Sequence, residues 1–109
     1  MKVLALQEVL EYIENLVIIL YEKEYFGFKE TARKYVEELY NDIETNLPTS
    51  QYKLAPKYFE KYGKDMYYAV FKRSKHTHWY VFFTIYKENK ETIYLIRYIG
   101  NNHVIAQYL

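Results

Sequence analysis

The sequence predicts an α+β protein in which an N-terminal helical hairpin packs on one face of a small antiparallel β-sheet. Three observations carry that expectation. Two stretches of apolar residues at helical spacing fill the first half of the chain, and the period changes from 3.6 to 2 after Gly63. With 109 residues, half of them apolar, and only three glycines and two prolines, the chain makes one ordered domain spanning 1–109.

Met1 to Ala5 reads as a short strand, since Lys2-Val3-Leu4-Ala5 precedes any helical period. From Gln7 to Glu22, Val9, Ile13, Leu16 and Leu20 recur at spacings of three and four. Leu10, Val17 and Ile19 widen that stripe, so the helix is expected to bury more than one side. Tyr25-Phe26-Gly27-Phe28 breaks the pattern. A second helix follows from Lys29 to Thr45, with Ala32, Tyr35, Val36, Leu39, Tyr40 and Ile43 on its buried face. Pro48 stops it, and the short turn between the two helices makes them an antiparallel pair.

Residues 48–64 form a connector with one helical turn at Pro56 to Tyr62, closed by Gly63. Met66 to Lys72, Thr77 to Tyr86 and Thr92 to Ile99 are rich in β-branched and aromatic residues and read as strands. The linkers between them are short and polar, so consecutive strands pair as hairpins. In the middle strand Trp79, Val81, Phe83 and Ile85 share the face expected beneath the helices. His78, Tyr80, Phe82, Thr84 and Tyr86 share the other, which is expected to stay partly open.

The chain has no cysteine, which excludes disulfides, thiolate metal sites and cysteine catalysis. Its longest apolar run, Leu16 to Leu20, is far short of the ~20 residues that span a bilayer, and its first residues do not resemble a secretory signal. A cytoplasmic protein without membrane contact is expected. The net charge of +1 hides a division. Residues 1–50 hold five basic and ten acidic residues, a net of −5, and residues 51–109 hold ten basic and four acidic, a net of +6. Such asymmetry suits a polyanion-facing surface on the second half, or mutual neutralisation within one compact domain. Ten of the fifteen tyrosines also lie in that half, and tyrosine both covers sheets and stacks on bases.

A short strand, a helical hairpin and a three-stranded meander now stand in order. With the segments Tyr67-Tyr68-Ala69-Val70-Phe71-Lys72, Trp79-Tyr80-Val81-Phe82-Phe83 and Ile93-Tyr94-Leu95-Ile96-Arg97-Tyr98-Ile99, this order resembles the RelE/ParE toxin family. The resemblance covers nearly the whole chain in element order and residues 66–109 in sequence pattern. It implies the toxin of a bacterial type II toxin–antitoxin (plasmid stabilisation) system, held inactive by a cognate antitoxin. It further implies a ribosome-dependent mRNA endonuclease or, alternatively, a non-catalytic inhibitor of DNA gyrase or a degenerate member that only binds an antitoxin. A homodimer is compatible with it, and no cofactor is implied. Where the family commonly has a basic run after its last strand, this chain reads Gly100-Asn101-Asn102-His103.

Cutting RNA through its own 2′-OH needs a base for the hydroxyl proton, a cation for the phosphate and an acid for the leaving oxygen. Arg97 matches the family's arginine on the final strand, and its fork of donors suits a phosphate. Strict alternation puts it with Ile93, Leu95 and Ile99, so the sequence leaves its side of the sheet open. His78 is a candidate base or acid because histidine titrates near neutrality, and His103 and Tyr108 are candidates by position near the C-terminus. Lys72, Arg73 and Lys75 match the family's basic strand end and, with Tyr80 and Tyr86, are candidate RNA contacts; Lys72 and Arg73 point to opposite faces. The bland reading makes Lys72, Arg73 and Lys75 a solvated loop and Tyr108 a packed aromatic. His76 and His78 have a spacing that can hold zinc, but two ligands are too few, so no metal is expected. No Gly-rich phosphate loop, H-E-x-x-H or Gly-x-Ser-x-Gly occurs.

Overall fold

The computed structural model describes residues 1–23 and 26–109. Strand β1 (Lys2–Ala5) leads into helix α1 (Gln7–Glu22), which is followed by helix α2 (Lys29–Asn46). A two-residue strand β2 (Lys53–Leu54) and a 3-10 segment (Lys57–Tyr62) precede the meander β3 (Tyr67–Lys72), β4 (His78–Glu88) and β5 (Glu91–Asn101). A short helix α3 (Asn102–Ile105) and a final 3-10 turn, Ala106–Tyr108, complete the chain. The expected break at Tyr25 to Phe28 falls partly outside the described residues, because Tyr25 is not among them.

The two helices pack on the sheet as the periodicity requires. Val9, Leu16, Val17 and Leu20 of α1 and Ala32, Val36, Leu39 and Ile43 of α2 are buried against Ala69, Phe71, Trp79, Val81, Phe83, Ile96 and Ile99. Fully burying each of the large aliphatic and phenylalanine side chains is worth roughly 1.5–3 kcal/mol, so this layer supplies most of the driving force. Trp79 brings one polar atom into it, and its indole N–H donates to the Tyr35 hydroxyl at 2.9 Å. That bond joins β4 to α2 at a point where an unpaired N–H would be costly. Helix α1 is less wrapped than its composition suggests. Val17 is buried, but Ile18 and Ile19 remain 42% and 37% exposed on the side away from the sheet.

The sheet differs from the expected antiparallel one. Its order is β1-β5-β4-β3-β2, and β1 runs parallel to β5, so the sheet is mixed. The reason is connectivity: the helical hairpin carries the chain across the sheet, and the meander returns with β5 in the direction of β1. Strands β3, β4 and β5 pair as antiparallel hairpins. Between β4 and β5 only Asn89 and Lys90 form the turn, both at positive φ (49° and 67°), the geometry of the tightest hairpins.

Two further differences shape the second face of the sheet. The expectation left that face partly open, and Phe82 is fully buried there and Thr84 nearly so. Phe59 of the 3-10 segment and Ile105 of α3 close over Phe82 and Met66 as a small second core. Ile105 approaches so closely that a Cβ on Gly100 would lie 2.8 Å from it. The last strand also runs past Ile99 to Asn101. The Asn101 side chain caps α3 by accepting from the backbone N–H groups of His103 and Val104.

Candidate functional site

A bulge in β5 separates the face of Arg97 from that of Ile99. Phe83 faces Ile96 across the ladder and Phe82 faces Tyr98, so Arg97 is an extra residue in β5. One inserted residue resets the alternation of everything after it. Ile99 therefore returns to the helix side, while Arg97 stands on the second face with Thr84 and Tyr86. The grouping of Arg97 with Ile99 by strict alternation is corrected by this insertion.

Arg97 is held from three directions. Its Nε donates to Thr84 Oγ1 at 3.2 Å, and its Nη2 donates to the Tyr86 hydroxyl at 2.8 Å. Its aliphatic stem lies against Gly63, where a Cβ would come within 2.7 Å of the arginine Cδ. Any side chain at 63 would thus push the guanidinium away. Among the described residues no carboxylate pairs with Arg97, and both of its recorded partners are neutral hydroxyls. A half-buried cation so placed attracts an anion of the right size. The same arrangement lowers the Tyr86 phenol from its ordinary value, first through Thr84 and then through Arg97, both of which stabilise the phenolate. Tyr86 is 44% exposed, so its oxygen is within reach of a ligand.

The other candidates do not converge on this pair. His78 opens β4 opposite Lys72, six residues from Thr84, which at strand rise is roughly 20 Å along the face. Its backbone N–H donates to Asn102 Oδ1 at 3.0 Å, and its Nε2 is buried without a partner among the described residues. Lys72 is exposed on the second face, and Lys75 is exposed in the hairpin loop. Arg73 is turned the other way and forms an ion pair with Asp42 of α2, so it ties the meander to the helices rather than facing a ligand. His103 is exposed on α3, on the side of Leu20, Phe26 and Trp79. Tyr80 borders a groove with Tyr52, Lys53, Tyr68, Val70 and Leu109. Among the described residues, no group of three or more His, Asp or Glu side chains could hold a metal ion.

Tyr108 stacks on Tyr58, with ring centres 3.7 Å apart and planes 4° from parallel. Lys61 lies 4.1 Å from the centre of the Tyr58 ring. The adjacent Tyr108 hydroxyl and then the Lys61 ammonium draw the Tyr58 phenol down, while Tyr108 itself is held up by Tyr58. Tyr108 is thus the harder of the two to ionise. Sequence reasoning misses Thr84, Gly63 and Lys61 as site residues. The signal for Gly63 is only that a glycine ends the connector, which says nothing about an arginine more than thirty positions away.

The charge division of the sequence becomes a division in space. Exposed acids, Glu8, Glu11, Glu14, Glu30, Glu37, Glu38 and Glu44 among them, line the helices. Lys53, Lys57, Lys61, Lys64 and Lys72 are exposed on the segments that form and cover the second face. No family model, curated protein or solved structure matches the chain. Its chemistry is therefore read from its own residues. Among the described residues, no helix is long and apolar enough to cross a membrane.

Proposed function

We propose that this protein is the toxin of a bacterial type II toxin–antitoxin pair of the RelE/ParE kind, acting on mRNA through the second face of its sheet. The observation that carries the reading is Arg97, a half-buried guanidinium with hydroxyl partners and no carboxylate partner among the described residues. Around it the lysines of the second half and the exposed tyrosines supply phosphate contacts and stacking surfaces. The order of elements, strand, helical hairpin and meander, is the order the family resemblance implies.

The chemistry follows from the pair. Arg97 offsets the charge that builds on the phosphate as the 2′-oxygen attacks. As the phenolate that Arg97 stabilises, Tyr86 takes the 2′-hydroxyl proton, and the phenol so formed returns that proton to the departing 5′-oxygen. The cognate antitoxin, the ribosome and its mRNA are the partners of this reading.

The test is cutting of a reporter mRNA by purified protein in the presence of ribosomes, together with growth arrest on induction. Arg97→Ala is expected to slow cutting by about 100-fold or more, and Tyr86→Phe by a similar order. Affinity for single-stranded RNA falls as salt rises, with a logarithmic slope near −3 if about four phosphates are contacted. A flat salt response removes the polyanion argument.

A second reading is favoured by one observation, the separation of His78 from Arg97. On that reading the protein binds and does not cut, as an inhibitor of DNA gyrase or another protein target. Intact mRNA at high protein with inhibited supercoiling selects it. Growth unaffected by induction defeats both readings and leaves only a degenerate member that binds an antitoxin.

A further inference from the structure

We propose that a cavity across the free edge of β5 is a guanine pocket, whose occupant is the base of a guanine nucleotide with its phosphate directed at Arg97. This rests on the RNA reading for the natural ligand, though not for the binding itself. Strand β1 pairs with β5 only as far as Ile96, and the last bond on that edge runs from the Leu6 N–H to the Ile96 carbonyl at 3.1 Å. Beyond it, no strand pairs with that side of residues 97–101 among the described residues. Alternate residues of a strand direct their N–H and C=O to the same edge, so the floor of the cavity carries unpaired backbone donors and acceptors.

The walls come from both layers. Glu8, Val9 and Tyr12 belong to the first turns of α1, and Tyr62, Arg97 and Tyr98 lie on the second face. The cavity holds about 360 Å³, within the range of small-ligand sites, ~300–1,000 Å³. Tyr62 and Tyr98, stacked on one another at 4.0 Å and 6°, give the cavity an aromatic side. An aromatic side next to a strand edge that no other strand covers suits a planar heterocycle.

The choice of base comes from Glu8. Guanine alone among the four bases carries two neighbouring N–H donors, N1–H and the exocyclic amine, on its Watson–Crick edge. A carboxylate accepts both at once, and a backbone N–H can serve the adjacent O6. Adenine and cytosine place an acceptor beside their amine, and uracil offers one N–H between two carbonyls; each would set a lone pair against the carboxylate. Arg97 lines the cavity as well as meeting Tyr86, so a base seated here brings its phosphate to the proposed reaction centre.

The experiment is calorimetric titration of the purified protein with GMP, IMP, AMP, CMP and UMP, with amide shifts followed by NMR. GMP is expected to bind at least about tenfold tighter than AMP, CMP or UMP, since hydrogen bonds to a charged group are worth a factor of that order. IMP, which lacks the exocyclic amine, binds between them. Glu8→Gln, an exposed substitution that the fold tolerates, removes the preference, and GMP shifts the amides of Ile99, Gly100 and Asn101. Equal affinities, no binding at millimolar nucleotide, a preference that survives Glu8→Gln, or shifts confined elsewhere each overturn the proposal. Because no ribosome or growth assay is involved, guanine binding with harmless induction would sink the toxin reading and leave the pocket standing. Growth arrest without guanine preference would do the reverse.

Discussion

The two faces of the sheet are built from alternate residues of the same strands yet are finished in different ways. The first is sealed by two helices of 16 and 18 residues, carries mostly aliphatic and phenylalanine side chains, and has its polar links to α2 in the Trp79–Tyr35 bond and the Arg73–Asp42 ion pair. The second is covered by a six-residue 3-10 segment and a four-residue helix, and its buried cluster among the described residues is Phe59, Met66, Phe82 and Ile105. Around that small cluster stand Arg97, Thr84, Tyr86 and the stacked tyrosine pairs. A face that must exclude water everywhere has no room for a free guanidinium; a face covered in patches does. The larger core and the candidate site thereby lie on opposite sides of the sheet.

The contrast can be broken by substitutions that should differ in size. Phe83→Ala, at the centre of the first face, is expected to cost about 3–5 kcal/mol in urea unfolding. Ile105→Ala on the second face should cost about 2 kcal/mol, because its short helix can settle toward Gly100. If the two losses are equal, the second core is as integral as the first and the division fails. Tyr35→Phe should cost about 1–3 kcal/mol by leaving the indole N–H of Trp79 without an acceptor, and Trp79 fluorescence should report the change.

Ionisation sharpens the comparison within the second face. Burial, and after it the Tyr62 hydroxyl, pushes Tyr98 from 10.0 up to about 12. The unfolded chain ionises this phenol at its ordinary value, so stability is undiminished below pH 10 and declines as pH rises from there to about 12. Tyr98→Phe should lessen that alkaline decline and remove the latest component of the phenolate absorbance titration. Tyr86 should be among the earliest, and Arg97→Ala should move it later.

Much of the first face could be read from the chain because its periods are regular. Trp79, Val81, Phe83 and Ile85 alternate without interruption, and Ala32, Val36, Leu39 and Ile43 keep helical spacing, so both sides of that interface announce themselves. The second face could not be read in the same way. Phe59 and Ile105 lie in segments too short to show a period. The separation of Arg97 from Ile99 depends on an inserted residue, and an alternation rule presumes that none exists. The Arg73–Asp42 ion pair joins residues 31 apart, and nothing local in either sequence marks the other. The parallel pairing of β1 with β5 is equally non-local.

That pairing has a consequence for how the molecule is made. Lys2 is matched to Ile93 and Ala5 to Ile96, so β1 must wait until the chain has been made through Ile96 before it finds its neighbour. Closing so large a loop is slow compared with forming the helical hairpin or the meander, each of which joins neighbours in sequence. Until then the β1 side of β5 is bare, and during translation the half-built sheet is the form most exposed to association with other chains.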